Sequence, residues 1–175
     1  MSLQPSLFPI LFLKITQTLT DQLNRKILLN NKPTRVISLV PSQTELLVDL
    51  GLETYIVGIT KFCVHPNELR KNKTIIGGTK NIKIEKIKKL KPDIILCNKE
   101  ENTKEIVEIC EKIAPTHVSN IFTLEDAKEL ILQYGKLFSV SYKAQEIVNK
   151  LNSEIFSFKT FIKNKPYKLS LIHIS

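Results

Sequence analysis

Cys63 and His65 are the two side chains of this sequence whose chemistry and spacing come nearest to a metal-binding or reactive pair. On an extended segment, residues two apart point to the same side, so both could reach one metal ion. Metal sites generally use three or four protein ligands, and a Cys/His catalytic dyad needs a third group that orients the imidazole. Two interpretations therefore stay open: metal or cofactor contact by both side chains, or a structural role in which His65 caps the turn before Pro66.

Most other candidate side chains lie in four short segments that each follow a predicted strand. The segments are 41–45, 60–66, 77–81 and 98–102. Because the carboxyl ends of parallel strands meet at one edge of a sheet, these segments should meet there, and together they are termed the rim. The rim is predicted to hold a polar or metal-bearing ligand through Ser42, Gln43, Thr44, Lys61, Phe62, Cys63, His65, Thr79, Lys80, Asn81, Asn98, Lys99, Glu100 and Glu101.

Several rim residues also have an ordinary structural interpretation. Ser42 is predicted to be the N-cap of a helix, with Glu45 as its capping-box partner. Glu100 and Glu101 would favour the positive end of the next helix. The glycine pair at 77–78 needs only to make a turn, although it would also let the backbone approach a ligand closely. The sequence has no Walker loop, no G-x-G-x-x-G motif and no nucleophile–base–acid set, so we expect a binding protein rather than an enzyme.

A parallel sheet is needed to position the rim, and the sequence predicts one. Short apolar runs rich in β-branched residues predict strands at 36–40, 55–59, 74–76, 94–97 and 117–119. Helical spacing and capping signals predict helices at 42–50, Ile84–Leu90, 102–113 and from residue 124 onward, the last capped by Thr123 and Asp126. The alternation favours an α/β fold with a Rossmann-like parallel sheet and right-handed crossovers.

Two further elements flank this pattern. Residues 14–29 alternate partly around a polar middle and predict a β-hairpin, with Asn24 in a left-handed turn conformation. Ser141–Lys163 contains neither glycine nor a strand pattern, and its apolar residues recur at three and four: Ile147, Leu151, Ile155, Phe158 and Ile162. This spacing predicts one helix roughly 33 Å long, which suits a strut between two lobes.

Composition narrows the classes of partner. The chain has 175 residues, is 42% hydrophobic and carries a formal net charge of +9. Its lysines are scattered and do not alternate with aromatic residues, so we expect no nucleic-acid partner. Cys97 and Cys110 fall on apolar faces and are predicted core residues. Residues 1–13 are apolar but too short to span a bilayer and lack a basic start, so they are predicted to be a non-domain segment without a signal peptide.

Several stretches together resemble the helical-backbone substrate-binding proteins of ABC importers, the receptors for cobalamin, haem and ferric siderophores. The matching stretches are TDQLNRKILL, RVISLVPSQTELLVDLG, YIVGITKFCVHP, IIGGTKNIKIEKIKKLKPDIILCNKEEN and the long helix. Within this family the cobalamin-binding-protein-like branch is the most similar. The resemblance covers about residues 16–163.

The resemblance implies a corrinoid, haem or ferric chelate captured between two lobes and delivered to an ABC permease in the membrane. It implies a periplasmic or cell-envelope monomer with no required cofactor. It also implies a periplasmic-binding-type N-terminal α/β lobe at 14–140 and an interlobe backbone helix at 141–163. The second lobe would be absent, and 164–175 would be a truncated or artefactual tail. By the same resemblance, Glu85 would dock on the permease. The alternative function is a metal-binding enzyme or sensor that uses Cys63 and His65.

Overall fold

The structure is a computed structural model that describes residues 17–163. The predicted segments 1–13 and 164–175, and the start of the predicted hairpin at 14–16, lie outside the described residues. The strands are β1 Gln17–Thr20, β2 Lys26–Leu29, β3 Val36–Ser38, β4 Ile56–Ile59, β5 Thr74–Ile75, β6 Ile94–Asn98 and β7 Thr116–Ser119. The α-helices are α1 Pro41–Asp49, α2 Asn67–Asn72, α3 Ile84–Leu90, α4 Lys104–Glu111, α5 Leu124–Leu137 and α6 Ser141–Lys163.

Five of these strands form one sheet in the order β5-β4-β3-β6-β7, and every neighbouring pair is parallel. The predicted α/β architecture with a parallel sheet is therefore confirmed. Helices cover both faces, which is why β3 and β6 are apolar along their whole length apart from their last residues, Ser38 and Asn98. Wholly buried Ile37 lies in one core layer and Val36 in the other. Burial of one such side chain is worth about 1.5–3 kcal/mol.

The two predicted core thiols are confirmed in the layer that contains Ile37. Cys97 of β6 and Cys110 of α4 are both fully buried. Its hydrogen bond to the Cys110 sulfur and its burial raise the pKa of the Cys97 thiol, so this thiol stays neutral near pH 7.

Helix α1 begins differently from the prediction. Pro41 is its first residue and Val40 is the N-cap, so the prediction that Ser42 caps this helix is wrong. Proline suits the first helical position because its φ is already helical and its missing N–H would have no partner there. The Thr44 hydroxyl donates to the Val40 carbonyl at 3.0 Å. The other end agrees with the prediction, since Gly51 has a φ of +77° just beyond the helix.

The predicted hairpin is confirmed over the described residues. β1 and β2 pair antiparallel, and Asn24 has the expected left-handed conformation with a φ of +59°. Inside the turn, buried Asp21 pairs with Arg25 at 2.7 Å and accepts a hydrogen bond from the Val118 N–H at 3.1 Å. Val118 belongs to β7, the edge strand of the sheet. The Asp21 carboxylate therefore bonds to an N–H of the open strand edge, where a further strand would otherwise pair.

His117 lies next to this contact and is also fully buried. Its Nε2 is 3.1 Å from Oε1 of Gln133 on α5, while its Nδ1 has no hydrogen-bond partner among residues 17–163. Burial lowers the pKa of His117, so the ring is neutral near pH 7. Asp21, Arg25, His117 and Val118 are termed the hairpin corner.

Helices α5 and α6 pack closely against each other. The predicted capping box at the start of α5 is confirmed, because the Asp126 carboxylate accepts the Thr123 N–H at 2.8 Å. A Cβ added to Gly135 would lie 2.6 Å from the Ala144 Cβ, so only glycine permits this approach. Ala144 and Val148 are the buried residues of α6. Further along α6 the large apolar side chains are exposed: Phe156, Phe158, Phe161 and Ile162.

None of the helices within residues 17–163 combines the length and apolar character needed to span a bilayer.

Candidate ligand-binding rim

The parallel sheet places all four predicted rim segments at its carboxyl edge. Segments 41–45, 60–66, 77–81 and 98–102 follow β3, β4, β5 and β6 in turn. A fifth segment, 120–123, follows β7 at the same edge and was not included in the sequence prediction. The candidate side chains divide into two groups by burial. The buried group is Gln43, Thr44, Cys63, Thr79 and Asn98, and the exposed group is Ser42, Lys61, Phe62, His65, Lys80, Asn81, Lys99, Glu100 and Glu101.

Gln43 is used by the fold. Its Nε2 donates to the Ser119 Oγ at 2.5 Å and to the Cys97 carbonyl at 3.2 Å. Its Oε1 accepts the Tyr134 hydroxyl proton at 2.7 Å. Burial raises the pKa of Tyr134 well above its ordinary value, so this hydroxyl remains a donor. Gln43 thereby joins α1 to β6, β7 and α5 beneath the surface of the rim.

Two asparagines continue this buried network. The Asn98 Nδ2 donates to the Ser119 Oγ at 3.0 Å, and its Oδ1 accepts the Glu100 N–H at 2.9 Å. The Asn102 Oδ1 accepts the Asn98 N–H at 2.9 Å, and its Nδ2 donates to the Thr79 carbonyl at 2.8 Å. One side chain, that of Asn102, therefore ties segment 77–81 to segment 98–102. The network fixes the positions of the segments whose exposed side chains face solvent.

Cys63 and His65 have different environments. The Cys63 side chain is buried, and its Sγ lies 3.2 Å from the Thr44 hydroxyl and 3.4 Å from the Thr60 hydroxyl. The His65 side chain is exposed. Across residues 17–163, no group of three or more His, Cys, Asp and Glu side chains is placed to hold a metal ion. The two residues thus supply at most two ligands in that part of the chain, fewer than metal sites generally use.

Several exposed rim residues help to line a groove of about 480 Å³. It is lined by Lys61, Phe62, Ile75, Gly77, Gly78, Thr79, Lys80, Asn81 and Lys83. Gly77 has a φ of +116°, and a Cβ there would lie 2.3 Å from the Asn81 carbonyl oxygen, so this turn requires glycine. At Gly78 the absent side chain lets the Phe62 ring lie against the backbone, since an added Cβ would be 3.2 Å from that ring. The groove is therefore open to small ligands and has backbone as part of its floor.

The charge of this groove is positive. Lys61, Lys80 and Lys83 line it, no acidic side chain does, and none of the three lysines forms an ion pair with another described residue. The start of α1 lies at the same edge, and the side chain of its N-cap, Val40, has no acceptor atom. A helix amino terminus carries a partial positive charge. The groove side of the rim should therefore attract anions.

A larger cavity, about 520 Å³, lies beside the hairpin at residues 25–28 and 111–116. Its charged lining includes Arg25 and Glu111, which pair with each other, and Arg25 also pairs with Asp21. Its lining also includes Lys26 and Lys112, which form no ion pair with another described residue, so only part of the charge of this cavity is neutralised. The groove differs because none of its lining residues is acidic.

Phe122 is a residue at this edge that the sequence prediction missed, as is Lys83 in the groove lining. It follows β7, its side chain is 68% exposed, and the Lys99 Nζ lies 6.0 Å from its ring centroid. A strand at 117–119 had been predicted, so the rule that placed the other segments at this edge also places Phe122 there.

Glu85, predicted to dock on a permease, lies on α3 away from the groove lining. Its side chain is 85% exposed and pairs with Lys88 at 2.9 Å. This pair joins residues three apart on an exposed helix face, where such pairs contribute little to stability. The side chain is therefore free to exchange Lys88 for another cation.

Comparisons with known proteins match this chain to one family. The family model for periplasmic binding proteins matches residues 36–172. An uncharacterized ABC transporter substrate-binding lipoprotein of Bacillus subtilis, YvrC, is 26% identical over 144 residues, which are 79% of this chain and 45% of the relative. The vitamin B12-binding protein of Vibrio parahaemolyticus is 28% identical over 131 residues, which are 74% of this chain and 47% of the relative.

A solved structure of a binding protein also has this fold over about half of its length. Staphylococcus aureus SirA, complexed with staphyloferrin B, superposes with a TM-score of 0.70 at 27% identity, covering 86% of this chain and 51% of SirA. The chain thus spans about half the length of the relatives it matches. The family match extends over most of the chain and includes every strand of the parallel sheet. The chain belongs to the periplasmic binding protein family.

Proposed function

We propose that this protein is a substrate-binding component of an ABC importer and that its rim is one wall of the ligand site. The observation that carries the proposal is the lysine-lined groove at the carboxyl edge of a parallel sheet, the edge at which α1 also begins. In open α/β sheets, ligands bind outside the carboxyl ends of the strands. The ligand is a metal chelate of the kind that relatives bind: a corrinoid, a haem or a ferric siderophore.

The relatives support this ligand class. One of them is a vitamin B12-binding protein, and SirA holds staphyloferrin B in its solved structure. Under this proposal no catalytic group or resident cofactor is required, because capture and release involve no covalent step. The protein would act as a monomer at the cell envelope, as the lipoprotein relative suggests, and nucleic acid would not be a partner. It would deliver the chelate to a membrane permease, with exposed Glu85 as one docking contact.

Most members of the exposed group would contact the chelate directly: Ser42, Lys61, Phe62, His65, Lys80, Lys99 and Glu100. The buried group would act by holding the rim segments in place: Gln43, Thr44, Cys63, Thr79 and Asn98. Burial of Cys63 argues against the alternative function, a metal-binding enzyme or sensor, because its thiol contacts two hydroxyls in the interior.

The proposal is tested by titrating the ¹⁵N-labelled chain with three chelates, gallium(III) siderophore, zinc protoporphyrin and cobalamin, and following amide shifts. Gallium(III) replaces iron(III) because it is diamagnetic and takes the same ligands. We expect at least one chelate to shift amides in 41–45, 60–66, 77–81 and 98–102. Shifts confined to the hairpin-side cavity, or no saturable shift with any chelate, would reject the proposal.

A further inference from the structure

Two lysine–phenylalanine pairs lie at the rim, on opposite sides of the start of α1. The Lys61 Nζ is 5.0 Å from the Phe62 ring centroid, and the Lys99 Nζ is 6.0 Å from the Phe122 centroid. The first pair follows β4 and the second pair lies on the segments after β6 and β7, so strands β3 and β6 separate the outer positions. Three strand spacings of about 4.8 Å put these positions roughly 14 Å apart. The pairs could therefore contact two parts of one small ligand.

Both rings are accessible to such a ligand. Phe62 is 50% exposed and Phe122 is 68% exposed. Single exposed apolar side chains are common on protein surfaces and need no explanation by themselves. These two differ because each lies beside a lysine at the edge where ligands bind in this type of sheet. An aromatic ring offers a flat face to other rings, which a lysine alone does not.

The two sides differ in charge. The groove beside Phe62 has three lysines and no acidic lining residue. On the other side, Lys99 is followed directly by Glu100 and Glu101, both exposed, so positive charge is locally offset. The anionic part of a ligand should therefore sit in the groove, while the Phe122 side offers mainly a ring face. Charge complementarity thus identifies the occupant as an anion.

Resting on the proposed function, we infer that the rim selects a metal chelate that is anionic and carries flat aromatic rings. Its anionic oxygens bind at Lys61, Lys80 and Lys83, and its rings stack on Phe62 and Phe122. A neutral chelate would desolvate the lysines without compensation. An anionic chelate that lacks rings would use the groove but gain nothing from the two phenylalanines.

The test uses three gallium(III) chelates and the ¹⁵N-labelled chain. One is an anionic tricatecholate, one is an anionic hydroxycarboxylate chelate without rings, and one is a neutral trihydroxamate. We expect the tricatecholate to bind most tightly, the hydroxycarboxylate chelate less tightly, and the trihydroxamate at least tenfold more weakly than the tricatecholate. Amide shifts report dissociation constants into the millimolar range, so even weak binding remains measurable.

Variants separate the ring contribution from the charge contribution. Phe62→Leu and Phe122→Leu should each weaken tricatecholate binding about two- to tenfold, the size of one aromatic pair contact, and leave the hydroxycarboxylate chelate unchanged. Lys61→Gln and Lys80→Gln should weaken both anionic chelates and leave the trihydroxamate unchanged. The matched controls are Phe156→Leu on α6, where the ring is 73% exposed, and Lys112→Gln outside the rim; neither should change any dissociation constant.

Failure of the inference and failure of the proposed function give different results. If the trihydroxamate binds the rim as tightly as the tricatecholate, or if both Phe→Leu variants bind like the unchanged protein, the inference is wrong while chelate binding stands. If none of the three chelates, nor zinc protoporphyrin or cobalamin, shifts rim amides, the proposed function is rejected and the inference falls with it.

Discussion

The hairpin corner and the rim both bury polar side chains at the sheet, yet they use them differently. At the corner, Asp21 accepts hydrogen bonds from the backbone of its own turn and from Val118 of the edge strand, and it pairs with Arg25. The interactions there join one part of the fold to another. At the rim, buried Gln43 and Asn102 likewise join separate segments of the fold. The exposed lysines of the rim, in contrast, form no ion pair within residues 17–163.

This difference indicates where stability and recognition are located. Removal of a buried carboxylate that is fully paired is strongly destabilising, and its filled hydrogen bonds leave no acceptor for a ligand. Exposed lysines beside an open groove contribute little to stability and are available to an anion. Substitutions at the corner should therefore change the free energy of unfolding, and substitutions among exposed rim residues should change binding. Buried rim residues should change both.

The largest expected effect is at the corner. Asp21→Ala leaves Arg25 paired only with Glu111 among residues 17–163. It also removes the acceptor of three backbone N–H groups, at Leu23, Arg25 and Val118, so we expect the free energy of unfolding to fall by about 3–5 kcal/mol. Urea unfolding followed by circular dichroism measures it. Asp49→Ala, at an exposed position near the end of α1, should change stability by no more than about 0.5 kcal/mol. A loss below about 1 kcal/mol for Asp21→Ala would show that the corner is not a stability element.

The next effect concerns the buried layer of the rim. Asn102→Ala leaves the Asn98 N–H and the Thr79 carbonyl without their partners, and we expect a loss of about 2–3 kcal/mol. It should also shift amides in 77–81 and 98–102 and weaken chelate binding. Ser42→Ala, at an exposed rim position, should leave stability within about 0.5 kcal/mol of the unchanged protein. If Asn102→Ala lowered stability but left rim amides and binding unchanged, the buried layer would have no role in positioning the site.

Much of the fold could be predicted from local sequence patterns. Strands β3 and β6 are apolar and β-branched, and α6 has apolar residues at helical spacing, so neighbours along the chain suffice to identify them. The hairpin turn at Asn24 and the capping box of α5 are also local signals. The predicted start of α1 was wrong because two local signals competed. Ser42 and Glu45 form a capping-box pattern, but Pro41 is itself suited to the first helical position.

The division of the rim into buried and exposed side chains could not be predicted in the same way. Gln43 contacts Ser119, which is 76 residues away, and Asn102 contacts Thr79, which is 23 residues away. Amides in loops look alike in sequence whether they bind ligands or hold segments together. Phe122 was different, because the predicted strand before it already implied its position.

The smallest expected effect is a change in pH dependence at the corner. Burial lowers the pKa of His117 below its ordinary value of 6.5, although its contact with Gln133 and the charge of Asp21 act in the opposite direction. Arg25 from the hairpin adds to the lowering, and uncharged Tyr134 of α5 packs against the ring. The unfolded chain therefore binds a proton at a higher pH than the folded protein does. The free energy of unfolding should fall as pH decreases through about 6.5, and this contribution should level off below the folded-state pKa.

His117→Gln removes the titrating ring while keeping a side chain that can bond to Gln133. Its free energy of unfolding, measured by urea at several pH values from 7.5 to 5, should decline less steeply than that of the unchanged protein. His65→Gln, at an exposed position, should keep the original slope. If His117→Gln kept the original slope and His65→Gln reduced it, the titrating group would lie at the rim instead of the corner. Proton binding would then be coupled to the ligand-facing edge of the sheet.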